Sequence, residues 1–467
     1  MSAADTESVT TDHAERTEAG AALRTAVPRR SHGDWEPASD RPDPVAVLTA
    51  QDETRSPDLV PIRHGRMATS AFAFYRGAAA IMAADLASTP TTGLVTQLCG
   101  DAHLSNLGVF ATPERRLLFD LNDFDETLPG PWEWDLKRLA ASFTIAARSN
   151  GVDQRNDSEA ALACAKAYRT AMADFARASA LDTWYARVNV DETLEKLRAT
   201  ASKKSVKSTE AQVAKARTRT SLQAARKLTA LVDGRLRIVD DPPLVMPLST
   251  VVPADGVDEL RTGISESYRQ YRETLPPGPH HVLDDYEFVD IAHKVVGVGS
   301  VGLRAFIVLL QSRRTGEPLL LQLKEAMGSV LEQHLGPSQY DPPGRRVVEG
   351  QRMMQAASDM FLGWSSSVID GRHYYWRQLR DMKSSTEVER LSKKGLRVYA
   401  RLCGWSLARA HARAGSPAEV AGYLGRSERF DRAIAEFSRR YAAQNDADFA
   451  AHAQAVADGS VPAIHGI

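Results

Sequence analysis

Cysteine is scarce in this sequence: Cys99, Cys164 and Cys403 are the three in 467 residues, far apart and at no metal-binding spacing. Their number and scatter exclude a disulfide framework and a cysteine zinc site, and fit a reducing compartment. Long apolar runs are missing too, none approaching the roughly 20 residues that span a bilayer. The opening MSAADTESVTTDHAERTEAG has neither the charged start nor the apolar centre of a signal peptide. Net charge is the third thing lacking. Lys plus Arg total 58 and Asp plus Glu 59, a formal charge of −1, so no whole-molecule attraction to nucleic acid or anionic membrane exists. The expectation is a cytoplasmic protein with no membrane partner and no specific nucleic-acid binding. Nothing in the sequence signals an oligomeric state.

What is present is a hydrophobic fraction of 43%, enough for a substantial core, in a chain long enough for two or three cooperating units. Residues 1–60 are polar and Pro-containing and read as a flexible tail. Residues 61–180 open with Ser70-Ala-Phe-Ala-Phe-Tyr-Arg-Gly and an alanine-rich helix. They continue through a strand over Gly93 to Cys99, a second over Arg116 to Leu121, and helical patterning from Asp135. Residues 181–280 read as a helical insertion and linker whose run from Lys196 to Lys227 is basic: a solvated helix surface, or a cover over phosphates. In 281–385, Tyr286 to Val296, Leu303 to Gln311 and Leu319 to Leu323 read as strands, followed by a helix from Arg345 to Ser358. Residues 386–467 are helical again, strongly so from Gly395 to Ala414.

The densest polar chemistry is Gly100-Asp-Ala-His-Leu-Ser-Asn106, followed by Asp120-Leu-Asn-Asp-Phe-Asp-Glu126. Both lie where a strand meets a turn, the usual placement for catalytic groups on a rigid scaffold. An Asp and an Asn five residues apart fit the two ends of one tight loop. The Asp can accept a hydroxyl proton, the Asn oxygen can ligate magnesium, and a carboxylate from the next hairpin completes a hard-oxygen site. Turn capping alone accounts for any one of these residues, less well for the combination.

These two stretches resemble the catalytic loop and metal-binding segment of aminoglycoside phosphotransferases and choline kinases. With Phe72-Ala-Phe-Tyr-Arg-Gly and Trp134-Asp-Leu-Lys-Arg-Leu-Ala, the chain from about residue 60 onward resembles a bacterial family known as domain of unknown function 2252. The resemblance implies an α+β, bilobal, protein-kinase-like fold with a large helical lobe and a small antiparallel-sheet lobe. It implies Asp101 as the catalytic aspartate, Asn106 and Asp123 as magnesium ligands, Asp135 as a buried brace of the catalytic loop, and His103 as a residue that orients it. Two departures stand out. Cys99 replaces the histidine common before Gly-Asp, and Asp125 replaces the glycine after Asp-Phe, where it is either a further metal ligand or a change in loop flexibility.

Gly297-Val-Gly-Ser-Val-Gly302 is a weak motif alone, but it is followed by a strand, not the helix that a dinucleotide fold requires. Strand, glycine turn, strand is the hairpin with which kinases cover phosphates, which makes Gly297, Gly299, Ser300 and Gly302 cofactor-binding candidates. Lys324 then alternates away from the row Leu319, Leu321, Leu323 and could reach the phosphates, with Glu349 as its candidate partner. This order, catalytic loop first and glycine turn nearly 200 residues later, is reversed relative to ordinary kinases and implies a circular permutation. In that arrangement Tyr374-Tyr-Trp-Arg-Gln-Leu is the hinge strand. Arg63, Arg66 and Arg76 are either phosphate contacts or ordinary inter-helix pairs.

The expected function is therefore phosphate transfer from ATP, with Mg2+, to an unidentified hydroxyl acceptor. A metal-dependent phosphoesterase, a nucleotide-binding regulator without turnover, and nucleotide transfer are the alternatives.

Overall fold

The computed structural model describes residues 3–200, 203–248, 257–295, 297–299, 301–379 and 382–466. Among them, leucine alternation builds a six-stranded antiparallel sheet. Its spatial order is Gly363–Ser366, His373–Gln378, Pro318–Glu325, Ala305–Ser312, Tyr286–Lys294 and Val245–Pro247. Along Pro318–Glu325 the odd leucines, Leu319, Leu321 and Leu323, enter one core with Trp376 and Tyr271. Tyr271 comes from the helix Val257–Glu273 and stacks on Trp376 at 4.6 Å between ring centroids. The even positions turn the other way, Leu320 into a second core and Lys324 toward the loop that carries Asp123. Period-two patterning thus decides which face holds the chemistry.

A helical half surrounds the other motif. Trp132–Ser149 is buried along nearly its whole length and packs on Glu159–Arg177, Lys393–Ala414 and Arg429–Ala457. Trp132 stacks on Tyr168 at 5.5 Å, and burial of each such ring contributes about 2 kcal/mol. Two small sheets flank this bundle: Val95–Leu98 with Leu128–Pro131, and a four-stranded sheet ordered Ser384–Ser385, Leu107–Ala111, Leu117–Leu121, Val188–Asn189.

The last part of the chain returns to the loop after Val95–Leu98. Tyr399 Oη donates to the carbonyls of Leu104 and Leu107 at 2.9 and 3.0 Å, and Arg409 meets Asp120 at 2.5 Å.

Residues 3–60 are not the flexible tail that their polarity implies. A helix spans Ala3–Ala26, a 3-10 turn Arg29–Gly33 and a second helix Pro44–Asp52. The first helix meets Pro417–Leu424 glycine to backbone: a Cβ on Gly20 would lie 2.0 Å from the Glu419 oxygen, and one on Gly422 2.2 Å from that of Thr17. His32, Trp35 and Leu48 are buried. A few well-placed anchors against distant partners order a segment with few apolar residues.

Candidate active site

The loop from Cys99 to Leu107 is fixed from below. Gly100 has φ +83°, and a Cβ there would stand 2.1 Å from the Glu126 carbonyl oxygen, so only glycine fits. Asp135, in the first turn of Trp132–Ser149, accepts hydrogen bonds from the Cys99 and Gly100 amides at 2.7 and 3.0 Å. His411 Nε2 lies 3.3 Å from the same carboxylate. The expected brace is therefore in place, and His411, from a helix distant in sequence, stands beside it. Cys99 is fully buried, which pushes its thiol well above the usual range and leaves it inert.

Asp101 follows on the cavity side, 22% exposed, with Oδ1 held by Arg138 Nε at 2.6 Å. Arg138 is itself buried, lies over the Tyr75 ring at 4.6 Å and donates to the Tyr75 carbonyl. Asn106 donates its amide to the Asp101 carbonyl at 2.6 Å, which leaves the amide oxygen as its cation-binding atom. His103 Nε2 is 3.7 Å from Asp101 Oδ2, and His103 Nδ1 accepts from Ser105 N. Burial holds the His103 imidazole down at about 4, outweighing the pull of Asp101, so it is neutral near pH 7.

Asp123 has one buried oxygen, Oδ1, with no hydrogen-bond partner, and Lys324 Nζ is 3.8 Å from it. Desolvation would raise this carboxyl, but Lys324, Arg377 and Lys383 outweigh it and hold it at about 2. Lys324 is 3% exposed; burial works against its charge, yet Asp123 and Asp125 raise its pKa. Its closest partner is Asp125, whose other oxygen accepts from Tyr375 Oη at 2.7 Å. Asp125 therefore bridges the sheet to the loop and does not stand free beside Asp123.

Glu349 does not pair with Lys324 as expected; it lies 3.6 Å from Arg352 on its own helix, Pro343–Met354. The helix is rotated so that Arg346 and Gly350, one turn apart, face the loop. Arg346 donates to the carbonyls of Asp125, Thr127 and Met327, each at 2.7 Å. A Cβ on Gly350 would meet the Thr127 side chain at 2.4 Å.

The glycine turn arrives from the opposite side. Gly297 and Gly302 have φ of +75° and +96°; Ser300 lies outside the described residues. Ser56 N donates to the Gly302 carbonyl, Arg55 Nη1 to that of Val301, and Arg66 to that of Gly297. Gly297 and Gly299 line one cavity, of about 110 Å³, together with Asp101, His103, Asn106, Asp123 and Asp125. The two motifs therefore share one cavity despite their separation in sequence. A larger cavity of about 240 Å³ lies by Asn122, Gln322, Arg377, Gln378 and Lys383. Burial and Arg377 lower Lys383 to about 7.

Of the three arginines singled out, Arg63 is fully buried on Asp52 and Gln51, Arg66 holds the glycine turn, and Arg76 lines the smaller cavity. Arg138, Tyr375, Arg346 and Arg55 escaped sequence reasoning. Arg138 alone had a local signal: it follows Asp135 by three positions on one helix, hence on the same face.

A family model described as an uncharacterized protein conserved in bacteria (DUF2252) matches residues 55–455. The chain belongs to this family. No curated protein and no solved structure matches it. Among the described residues of this family member, no three His, Cys, Asp or Glu side chains form a metal-binding cluster, and no helix is long and apolar enough to cross a membrane.

Proposed function

We propose that this chain is an ATP- and magnesium-dependent phosphotransferase of the kinase-like superfamily, circularly permuted, acting on a hydroxyl acceptor. One observation carries the reading: Asp101, Asn106 and Asp123 line the same cavity as Gly297 and Gly299. The sheet supports it. Strand, glycine turn, strand and lysine strand, and after the helix Pro343–Met354 the two strands Gly363–Ser366 and His373–Gln378, belong to a single antiparallel sheet, as in a nucleotide-covering lobe. Lys393–Ala414 then takes the place of the large-lobe helix that in ordinary kinases precedes the catalytic loop.

The donors fit magnesium. The partnerless Asp123 oxygen and the Asn106 amide oxygen are hard ligands, and magnesium asks for only one or two carboxylates beside phosphate and water. Bound there, it would offset phosphate charge. Asp101, with one oxygen fixed by Arg138, orients the acceptor hydroxyl and takes its proton on the other. Lys324 and the glycine-turn amides position the phosphates, and His103, neutral, packs behind Asp101.

The test is magnesium-dependent ATP binding by the purified chain, combined with mass-shift screening of hydroxyl compounds and proteins after incubation with ATP. Asp101→Ala should lower transfer by about 10²–10⁴-fold with little change in nucleotide affinity. Asp123→Ala should weaken the magnesium dependence. A chain that binds no nucleotide with magnesium present sinks the proposal.

The clamp of Arg138 on Asp101 favours a second reading, a nucleotide-binding regulator without turnover. It requires binding without transfer across a broad acceptor panel. The phosphoesterase reading calls for several His ligands around paired metals, and among the described residues no three His, Cys, Asp or Glu side chains form such a cluster.

A further inference from the structure

Ion pairing around the smaller cavity is uneven: Asp123 lies 3.8 Å from Lys324, and the other carboxylates have closer partners. Asp101 is taken by Arg138, Asp125 by Lys324, and nearby Asp52 by Arg63. Glu126 accepts from the Val330 amide, and burial raises its carboxyl toward the neutral form. Two guanidiniums remain, Arg55 and Arg76. Both line the cavity, and the Nε of each is buried with no hydrogen-bond partner. Arg55 spends Nη1 on the Val301 carbonyl, and Gly302 makes room for it: a Cβ there would lie 2.9 Å from the Arg55 side chain. Burial, then Arg63, pulls Arg55 down to about 9, and burial also lowers Arg76. An anion bound between them would offset the cost of leaving these nitrogens without a partner.

Their position says which anion. Arg76 lines the cavity together with Asp101 and His103, where the acceptor hydroxyl of the proposed reaction would approach. In the phosphotransferase reading, Lys324 and the metal ligands serve the nucleotide's phosphates. Arg76 comes from the helix Ala71–Gly77 and Arg55 from a bend, both ahead of the catalytic loop in the chain.

We propose that Arg55 and Arg76 form a seat for a phosphate-type oxyanion on the acceptor, so that the acceptor is itself an anionic, phosphorylated hydroxyl compound. This rests on the phosphotransferase reading. Two planar guanidinium forks match a tetrahedral oxyanion as ammonium groups do not.

Inorganic phosphate serves as the probe, titrated calorimetrically into the full chain with and without saturating magnesium AMP-PNP. The expected result is salt-sensitive phosphate binding that persists when AMP-PNP is bound. Arg55→Gln and Arg76→Gln should each weaken it about tenfold or more, as for a lost charge-assisted pair; Arg76→Gln, whose side chain does not hold the glycine turn, should leave AMP-PNP affinity unchanged within about twofold. Arg55→Lys and Arg76→Lys keep the charge and should lose less; thermal unfolding of all four variants identifies any that fail to fold. Exclusion of phosphate by AMP-PNP overturns the proposal, because the guanidiniums then serve the nucleotide's terminal phosphate. Wild-type phosphate affinity in both glutamine variants, or no phosphate binding at all, overturns it as well. If AMP-PNP fails to bind while phosphate binding still depends on both arginines, the oxyanion seat stands and the phosphotransferase reading falls.

Discussion

Asp135 lines neither cavity, yet the loop bearing Asp101 depends on it through two amides and a buried histidine. Asp135→Ala leaves the Cys99 and Gly100 N–H groups without acceptors, at a cost of about 1–3 kcal/mol each. A loss of about 2–5 kcal/mol in urea unfolding is expected, with transfer activity falling alongside. Asp135→Asn keeps one oxygen and should lose roughly half as much; equal losses would mean that charge, not acceptance, is what matters. A second buried group makes stability depend on pH. His32 is 1% exposed, edge-on to Tyr423 and Phe430, and burial followed by Lys137 drops its pKa to about 2. In the unfolded chain it protonates near 6.5. The folded state therefore binds fewer protons, and stability that is complete above that pH is lost as pH falls through the window toward 2. The slope for one such group is about 1.4 kcal/mol per pH unit. His32→Phe keeps the ring contacts and loses the 2.7 Å bond to Tyr423 Oη, at a cost of about 1 kcal/mol near pH 7.5. Between pH 5.5 and 4 its stability should fall less steeply than that of the wild type by about 1.4 kcal/mol per unit. Parallel slopes in chemical denaturation would remove His32 as the source.

At the scale of elements, the basic insertion ends in a docked helix. Ser221–Leu228, capped by Thr220, presses Ala224 and Ala225 into Ile307, Leu309, Leu320 and Leu379, the face of the sheet that also carries Lys324. Just before it, the Arg219 carbonyl accepts from Met382 N at 2.9 Å, and Arg219 Nη1 donates to the Lys383 carbonyl. Neither sequence-based reading of the basic run, solvated surface or phosphate cover, included this docking. Ala225→Asp places an unpaired charge in that core, and even ~3 kcal/mol of lost docking raises the undocked population over a hundredfold. Trypsin should cut the variant at Arg217, Arg219 or Arg226 far faster than the wild type, while the helical half stays intact. The same contrast explains what could be read in advance. The strands at Tyr286, Leu303 and Leu319 and the loop at Asp101 were legible because alternation and a contiguous motif are local properties. Glu349 was misassigned because only the helix's rotation against the sheet, set by Gly350 and Arg346, decides which residue faces the loop. Arg55 was invisible because its meaning depends on Gly302 and Val301, almost 250 positions away. The ordered start of the chain was hidden for the same reason, since Gly20 and Trp35 find their partners beyond residue 417.

For the whole molecule, the route of the chain is the central physical fact. Residues after the sheet return to hold a loop formed almost 300 positions earlier: Tyr399 on the Leu104 and Leu107 carbonyls, Arg409 on Asp120, His411 on Asp135. Trp35 packs on Phe437 and Tyr441, which ties the first segment to the last. A chain cut after residue 385 leaves two buried carbonyls and two buried carboxylates without these partners, at about 1–3 kcal/mol each. It also exposes the faces of Trp132–Ser149 and Glu159–Arg177 that Lys393–Ala414 covers. That sum is comparable to the 5–15 kcal/mol by which domains of this kind are stable. The fragment 1–385 should therefore show no cooperative unfolding transition by circular dichroism and bind no nucleotide. Coexpression with 386–467 should restore both properties, because packing depends on neighbours in space and not on an unbroken backbone. If 1–385 alone melts cooperatively, the return of the chain is an ornament on a core complete without it, and the proposed circular permutation loses its physical basis.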